Sequence, residues 1–242
     1  MNGVLIVDKP EGWTSHDVVA KLRNSLKIKR IGHGGTLDPM ATGVLPVFIG
    51  RATRLSSTST DANKEYIAGL RPGITTDTQD ITGKVLSESE LTVSVNDLSA
   101  VLPKFTGAIK QIPPMYSAKK HKGKKLYELA RKGIEIEREP REINIYTLEL
   151  LETPPGNPGT GDNNGSSGPD FSLRVVCSKG TYIRTLCHDI GAALGCGGTM
   201  SSLRRTCSGE YKIENSFTLD NILSAIKDGN IHNLLIEVSH DI

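Results

Sequence analysis

A glycine-dense segment that runs directly into an apolar strand constrains this 242-residue chain more than any other feature. Residues 32–43 contain Gly32, Gly34, Gly35 and Gly43, and residues 44–49 are all apolar or proline. Glycine tolerates the backbone angles that tight turns require, and a short apolar run bounded by turn signals is typical of a buried strand. The pattern therefore predicts a tight loop on a rigid strand, an arrangement that can present a reactive side chain.

Other segments predict strands and helices in irregular alternation. Thr14 and Asp17 have the spacing of a helix capping box. The predicted elements are strands at 4–7, 65–70, 143–151 and 171–177, strand-like stretches within 200–213, and helices after Thr14 and at 96–102, 181–194 and 219–226. Because strands and helices intermix without a regular βαβ repeat, we expect an α+β fold built on a mixed sheet.

Charge is segregated along the chain. The whole sequence has a formal charge of +2, but residues 118–141 contain nine Lys or Arg and four Glu, which gives +5 and leaves −3 for the rest of the chain. This basic tract is compatible with a solvated surface helix or with RNA binding. The interleaved Tyr116, His121 and Tyr127, with Arg204 and Arg205 further on, favour a groove that follows phosphates.

A second compositional feature is the stretch 153–170, which is almost free of apolar residues. It cannot bury enough surface to offset the entropy of ordering. We interpret it as a disordered surface insertion without a function of its own.

Several protein classes find no support in the sequence. The N-terminus has too few apolar residues for a signal peptide, and no run approaches the length of a transmembrane helix, so we expect no membrane association and a cytoplasmic location. The four cysteines lack zinc-site spacing and are interpreted as reduced, mostly packed thiols. No glycine fingerprint for a nucleotide is present. We therefore expect chemistry without a cofactor or a metal.

Four side chains are candidates for chemistry, although each taken alone has an ordinary structural explanation. Asp38 is a carboxylate on the glycine-rich loop, where Asp-Pro is also common turn chemistry. Arg184 lies near the start of a predicted helix, and Tyr66 lies at the head of a strand, where a packed tyrosine is the usual reading. His33 could be a base, a metal ligand or a turn residue, and the turn residue is favoured.

Taken together, these segments resemble the successive motifs of the bacterial tRNA pseudouridine-55 synthase (TruB) family. The motifs are Lys9-Pro10-Glu11-Gly12-Trp13-Thr14-Ser15, the glycine-rich segment 32–43, the polar segment 76–83, Gln111-Ile112-Pro113-Pro114-Met115-Tyr116-Ser117 with the lysines that follow, and Gly180-Thr181-Tyr182-Ile183-Arg184. Their order and spacing agree from residue 3 to about residue 240. The resemblance implies a pseudouridine synthase fold, a mostly antiparallel mixed sheet flanked by helices and loops.

The resemblance also implies roles for individual residues. Asp38 matches the catalytic aspartate, Arg184 the arginine that pairs with it, and Tyr66 the tyrosine that stacks on the target base. His33 matches the histidine that enters the T-arm loop of tRNA as the target uridine turns out, and Tyr182 and Leu203 match pocket positions. Lys9, Lys119 and Lys120 are expected to contact the substrate, the last two from a mobile thumb at residues 111–133.

The chemistry suits these residue types. Forming pseudouridine breaks the bond from uracil N1 to the sugar and joins C5 to C1′, with no redox change and no added atom. A carboxylate can attack C1′ or C6 of the base, and both routes stay open. A neighbouring guanidinium orients the carboxylate and favours its charged form. A target in a stacked loop must first be flipped out, which a substitute stacking side chain such as His33 partly offsets.

These implications define the expected protein. We expect one catalytic domain over residues 1–242, without the C-terminal RNA-binding domain of the PUA type, acting as a monomer on the T-arm stem-loop of tRNA. Three alternatives remain: a tRNA-folding chaperone or RNA-binding module, the catalytic subunit of an RNA-guided particle, and a glycosidase-like hydrolase that uses Asp38 with Asp77 or Asp80.

Overall fold

The structure is a computed structural model, and it describes residues 1–117, 119–121, 123–152 and 170–238. The strands are β1 (Gly3–Lys9), β2 (Ile31–His33), β3 (Thr42–Ile49), β4 (Lys64–Pro72), β5 (Ile74–Thr76), β6 (Val85–Glu88), β7 (Gly107–Gln111), β8 (Lys120–His121), β9 (Lys124–Lys125), β10 (Arg141–Leu151), β11 (Phe171–Cys177), β12 (Gly198–Ser208), β13 (Tyr211–Lys212) and β14 (Phe217–Thr218). The α-helices are α1 (Ser15–Leu26), α2 (Ser56–Asp61), α3 (Val95–Val101), α4 (Leu126–Ala130), α5 (Ile183–Ala193) and α6 (Leu219–Lys227). Short 3₁₀ helices occupy Gly50–Leu55, Leu102–Phe105, Ile213–Asn215 and Ile231–Leu234.

The chain divides into two compact units. The first contains Met1–Ile67 and the chain from Leu203 onward, and the second contains Ala68–Ser202. The boundaries fall inside β4 and β12, so each of these strands contributes residues to both units. The two units are described separately below.

The first unit is built around the pair of β1 and β3. These strands run antiparallel in register from Gly3 opposite Ile49 to Lys9 opposite Gly43. β2 pairs antiparallel with the other edge of β3 near its end, and β14 pairs parallel with β1. Arg204 and Arg205 of β12 pair in parallel with the start of β3. The strand predicted at residues 44–49 is confirmed.

Two helices bury one face of the first unit. The capping box predicted from Thr14 and Asp17 is present at the start of α1, where each side chain accepts from the other residue's backbone N–H. The apolar stripe of α1 packs with α6 against the sheet in a core formed by Leu5, Val7, Val18, Val19, Leu22, Ile31, Leu45, Val47, Ile49, Leu219, Ile222 and Ile231. This burial fixes α1 directly behind the glycine-rich loop.

Several antiparallel strand pairs belong to the second unit. β10 pairs with β11 on one side and with β7 on the other, and β5 and β6 form a separate hairpin, as do β8 and β9. Residues 153–169 of the predicted insertion lie outside the described residues. Asp170, the last residue assigned to that insertion, lies next to β11, and both of its carboxylate oxygens accept from Arg71, at 2.7 and 3.1 Å.

Helix boundaries in this unit differ slightly from those predicted. The helix expected at 181–194 begins at Ile183, because the backbone of Tyr182 is extended; the Tyr182 N–H donates to the side chain of Gln111. The helix expected at 96–102 is α3, capped by Ser94, and Pro103 lies in the 3₁₀ turn that follows. Proline fits there because its missing N–H would have no helical partner. The α+β fold with a mixed, mostly antiparallel sheet is confirmed.

Candidate functional site

Asp38 lies on a loop whose backbone is held by hydrogen bonds at the residues before and after it. On one side, the backbone N–H of Leu37 donates to the hydroxyl of Ser15 at 2.9 Å, and that hydroxyl lies 3.3 Å from the Leu37 carbonyl. On the other side, the Pro39 carbonyl accepts from the Gly12 N–H at 2.9 Å and from the Lys9 amine at 3.2 Å. Because its two neighbours are held, Asp38 has little freedom to move with the loop.

Lys9 belongs to the frame of this loop. Its side chain is fully buried, and its amine donates to the carbonyls of Pro10, Trp13 and Pro39. Burial lowers the pKa of Lys9 to about 8, against the opposing effect of the nearby Asp38 carboxylate. These bonds show Lys9 supporting the loop from below, while the expectation that it contacts substrate stays a prediction.

Arg205 is a site residue that the sequence interpretation placed wrongly. We expected Arg204 and Arg205 to extend a phosphate-binding groove, but Arg205 is 1% exposed. Its Nε donates to the carbonyl of Val44 at 2.7 Å and its Nη2 to that of Gly35 at 3.2 Å. Arg204 donates with both terminal nitrogens to Asp8, at 3.1 and 2.8 Å. Adjacent residues of a strand point to opposite faces, so an arginine doublet within a strand was a signal that its two members have different surroundings.

Gly43 shows why the loop needs glycine where it meets the strand. Its φ is +99°, and a Cβ at this position would collide with the backbone of Arg205. β12 therefore lies against the end of the loop at van der Waals distance, and the Arg205 side chain reaches under the loop from that strand.

His33 lies at the end of β2, two residues from Gly35. Burial, with smaller effects of His16 and Arg205, lowers the pKa of His33 to about 4. Its ring meets that of His16 edge to face, with the centroids 5.2 Å apart, and its Nδ1 is buried with no partner in the described part of the chain. His33 is therefore neutral at physiological pH, which suits a ring that stacks on bases.

The other two candidates of the first unit, Tyr66 and Leu203, are largely buried side chains with apolar parts. Tyr66 in β4 is 9% exposed and Leu203 in β12 is 8% exposed. Both residue types can wall a pocket for an uncharged base, which is the role that the family resemblance implies.

Arg184 of the second unit lies at the start of α5 and is 5% exposed. Its Nη2 donates to the carbonyl of Tyr116 at 2.9 Å and its Nη1 to that of Thr78 at 3.3 Å. Nη1 also lies 3.5 Å from Oδ2 of Asp80, a carboxylate that is itself buried. The sequence indicates Asp80 only as a possible partner in hydrolysis, and its pairing with Arg184 is visible only in the structure.

The polar segment 76–83 holds Asp80 rigidly. Oδ1 of Asp80 accepts from the hydroxyls of Thr78 and Thr82 and from the Thr82 N–H. Gln79 lies between Thr78 and Asp80, which both contact Arg184, and its φ is +65°. Its side-chain oxygen accepts from the Thr185 hydroxyl at 2.7 Å. A side-chain-bearing residue in this conformation stores strain, and such residues cluster at functional sites.

Gln111 fixes Tyr182 at the entry to α5. The Gln111 amide accepts from the Tyr182 N–H at 2.8 Å and donates to the Tyr182 carbonyl at 3.0 Å. Gln111 is also the first residue of the predicted thumb. These two hydrogen bonds connect the first residue of the predicted thumb to the N-terminus of α5, the helix that contains Arg184.

The predicted thumb contains the β8–β9 hairpin and α4. Tyr127 of α4 lies close to two cations, with Nζ of Lys125 5.4 Å and the guanidinium of Arg131 5.3 Å from the ring centroid. Lys119 is half-buried, and the side chain of Lys120 falls outside the described part of the structure. The mobility of this segment stays a prediction.

The candidate residues divide between the two units. Asp38, Tyr66, His33, Lys9 and Leu203 belong to the first, whereas Arg184, Tyr182, Lys119 and Lys120 belong to the second. The predicted pairing of Asp38 with Arg184 joins residues of different units and stays a prediction. No helix in the described residues is both long and apolar enough to cross a membrane. Among these residues, no cluster of His, Cys, Asp or Glu has the arrangement of a metal site.

Comparison with known proteins places the chain in a family. Residues 23–183 match the TruB family pseudouridylate synthase N-terminal domain, and residues 184–237 match the tRNA pseudouridylate synthase B C-terminal domain. The chain belongs to the TruB family of pseudouridylate synthases. It is therefore an isomerase, as the sequence resemblance predicted.

Curated TruB relatives cover nearly the whole chain. The protein named tRNA pseudouridine synthase B of Alkaliphilus oremlandii is 47% identical over 240 residues, which are 99% of this chain and 75% of the relative. The one of Francisella philomiragia is 50% identical over 226 residues, 92% of this chain and 70% of the relative.

A solved structure is similar to this chain over most of its length. A chain of the crystal structure of a Cbf5-Nop10-Gar1 complex is 33% identical, with a TM-score of 0.73 over 97% of this chain. The matched region is 59% of that longer chain. The pseudouridine synthase fold predicted from the motifs is confirmed.

Proposed function

We propose that this protein converts uridine to pseudouridine at position 55, in the T-arm loop of tRNA, with Asp38 as the nucleophile. The observation that carries the proposal is the position of Asp38 on a loop whose backbone is anchored at Leu37 and Pro39, in a chain of the pseudouridylate synthase family. The names of the curated relatives support tRNA as the substrate. A cytoplasmic location follows from that substrate.

In the proposed reaction the Asp38 carboxylate forms a covalent bond to the nucleotide and is later released. The bond from N1 to C1′ breaks, the uracil turns, and C5 bonds to C1′. The proton lost from C5 is balanced by the one gained at N1, so the product has the composition of the substrate. Tyr66 and Leu203 retain the detached base, because an apolar wall and a stacking ring exclude water and prevent escape.

His33 supports the step before the chemistry. Flipping a base out of a stacked loop costs a few kcal/mol. A neutral ring can occupy the vacated place in the stack without bringing a charge into it. The low pKa of His33, caused mainly by burial, keeps the ring neutral.

The contacts of Asp80 argue against one form of the hydrolase alternative, the form in which Asp80 is the second carboxyl group. A glycosidase-like hydrolase needs a second carboxyl group that can exchange protons. Asp80 lies within 3.5 Å of the buried guanidinium of Arg184 and accepts three further hydrogen bonds. Both oxygens of Asp80 are thus engaged by Arg184, Thr78 and Thr82, which suits Asp80 to orient Arg184 and leaves neither oxygen directed at a substrate.

The decisive experiment uses unmodified tRNA transcript carrying tritium at uridine C5. The protein alone, without guide RNA, is expected to release one equivalent of tritium, and mapping should place pseudouridine at position 55. Asp38→Asn should reduce release to background, whereas Asp228→Asn, which removes an exposed carboxylate of the first unit, should match the unaltered protein.

The other outcomes separate the alternatives. Free uracil in the product would indicate a hydrolase. Tritium release that requires added guide RNA would indicate a guided subunit. Activation of tRNA folding that survives Asp38→Asn, with no tritium released by the unaltered protein, would indicate a chaperone.

A further inference from the structure

The basic tract at 118–141 is not the only concentration of positive charge in the sequence. Residues 18–55 contain seven Lys or Arg and a single carboxylate, Asp38, which gives +6. Since the whole chain is +2, the remainder of the chain outside these two segments carries −9. A segment this unbalanced, in a chain otherwise acidic, indicates a surface built for a polyanion.

The fold gathers six of these cations at one end of the first unit. The basic patch, as we define it, consists of Arg23, Lys27, Lys29, Arg30, Arg51 and Arg54. They come from the last turn of α1, the loop between α1 and β2, and the 3₁₀ helix after β3.

Hydrogen bonds join these three segments. Arg23 donates to the carbonyls of Lys29 and Ile31, both at 3.1 Å. Nε of Arg30 donates to the Thr53 hydroxyl at 2.7 Å, and the Gly50 N–H donates to the Arg30 carbonyl at 2.8 Å. The three segments are thereby held together, as a binding surface requires.

Three cations of the patch are available to a ligand. Lys27, Lys29 and Arg54 are exposed and form no ion pair within the described residues. After Arg54, the next carboxylate along the chain is Asp61, at the end of α2. No large apolar side chain in residues 18–55 is exposed, so the surface lacks the apolar face with which peripheral proteins enter a membrane.

The patch is far from Asp38 within the same unit. β3 runs from Thr42, next to the Asp38 loop, to Ile49, next to Gly50 of the patch, and Arg30 precedes the β2 residue paired with Ile49. At roughly 3.3 Å per residue, β3 separates the two by about 23 Å. His33, which the proposed function places in the target loop, lies nearer to the patch, because Arg30 precedes it by three residues, or about 10 Å of strand. An RNA whose target base lies at Asp38 therefore meets Lys27, Lys29 and Arg54 with nucleotides that adjoin the target loop.

We propose that the basic patch binds the phosphate backbone of the substrate RNA beyond the loop that contains the target uridine. The inference rests on the proposed function for the identity of the ligand. Its physical basis is the release of counterions when cations neutralise phosphates, which requires charge and spacing but no base contacts. The patch thus adds affinity for a whole folded RNA over an isolated loop.

The test compares two triple variants with the same loss of charge. The patch variant is Lys27→Asn, Lys29→Ala and Arg54→Ala, with asparagine at 27 because that residue has a φ of +55°. The control variant is Lys104→Ala, Lys212→Ala and Lys227→Ala, which removes three exposed lysines elsewhere. Thermal melts establish that both variants are folded.

Binding to full-length tRNA transcript is measured against salt concentration. Each lost phosphate contact should lower the slope of log K against log salt by about 0.7–0.9, so the patch variant should lose about 2. The control variant should retain the slope of the unaltered protein. In turnover assays the patch variant should show a raised KM with a smaller effect on kcat. The difference in KM between the patch variant and the unaltered protein should be smaller when the substrate is a hairpin whose stem is too short to reach from Asp38 to the patch.

Equal slopes for the patch variant and the unaltered protein on full-length tRNA would overturn the inference, as would an equal fall in the control variant, which would indicate net charge alone. The proposed function fails by a different result, the absence of tritium release by the unaltered protein. The two failures are thus distinguishable.

Discussion

At the scale of single residues, the candidate site depends on buried polar side chains that bind the main chain. Lys9, Ser15 and Arg205 are all nearly inaccessible, and their bonds hold the backbone at Gly35, Leu37 and Pro39. A buried charge is tolerated only when hydrogen bonds replace its water. The glycines alone would make this loop flexible. The hydrogen bonds of these three residues restrict its backbone and so hold Asp38 in one position.

We predict that Arg205→Lys destabilises the protein by about 2 kcal/mol and lowers turnover. A lysine amine cannot reproduce the planar fork that reaches both Val44 and Gly35, and a carbonyl left buried without a donor costs about 1–3 kcal/mol. Urea unfolding and tritium release measure the two effects. Arg204→Lys is the matched control, since Arg204 is partly exposed and pairs at the surface. Equal losses in the two variants would contradict the assigned role.

A second residue prediction concerns acid stability. The pKa of His33 falls from 6.5 to about 4, mainly through burial. Between these values the unfolded chain binds a proton that the folded chain does not, so the free energy of unfolding should decrease as pH falls from about 6.5 to about 4. Above that window His33 contributes no pH dependence.

Urea unfolding between pH 4 and pH 7 checks this prediction. His33→Gln should reduce the slope in that window, whereas His232→Gln, at an exposed position, should leave it unchanged. Identical slopes for His33→Gln and the unaltered protein would show that His33 is not the group responsible.

At the scale of elements, local sequence signals specified the helices that depend on local contacts. The capping box of Thr14 and Asp17 and the apolar stripe of α1 were both read from the sequence and are both present. The start of α5 lies two residues later than predicted, at the point where the extended Tyr182 is bound by Gln111, which is distant along the chain. A distant side chain that takes a backbone N–H leaves no trace in the local pattern.

We predict that residues 153–169 can be replaced by Asn-Gly without loss of turnover. β10 and β11 are already in register up to Leu151 opposite Ser172, so their ends meet at hairpin distance. Shortening the connection about fourfold should stabilise the protein by about 1 kcal/mol through the lower entropy of loop closure. Urea unfolding and tritium release test both statements.

The control for this prediction is a Gly-Ser segment of equal length in place of residues 153–169. It retains the length and removes the natural composition, so stability and turnover should match those of the unaltered protein. A loss of turnover in this variant would show that the insertion has a function.

At the scale of the whole molecule, the net charge hides how unevenly charge is distributed along the chain. The near-neutral sum combines +5 in residues 118–141, +6 in residues 18–55 and −9 elsewhere. Of these, the first was recognised from the sequence because its cations are closely spaced. The second is more widely spread along the chain, and it becomes a surface only when α1, the loop before β2 and the 3₁₀ helix after β3 meet.

The sequence by itself determined the family, the α+β class and the identity of Asp38 as the candidate nucleophile. Those properties depend on which residue types follow one another along the chain, and this order can be read from the sequence without a structure. The tertiary structure alone decided which arginine is buried, that Asp80 pairs with Arg184, and that six dispersed cations form one surface. Each of these depends on burial or on contacts between distant segments, and neither is a property of local sequence.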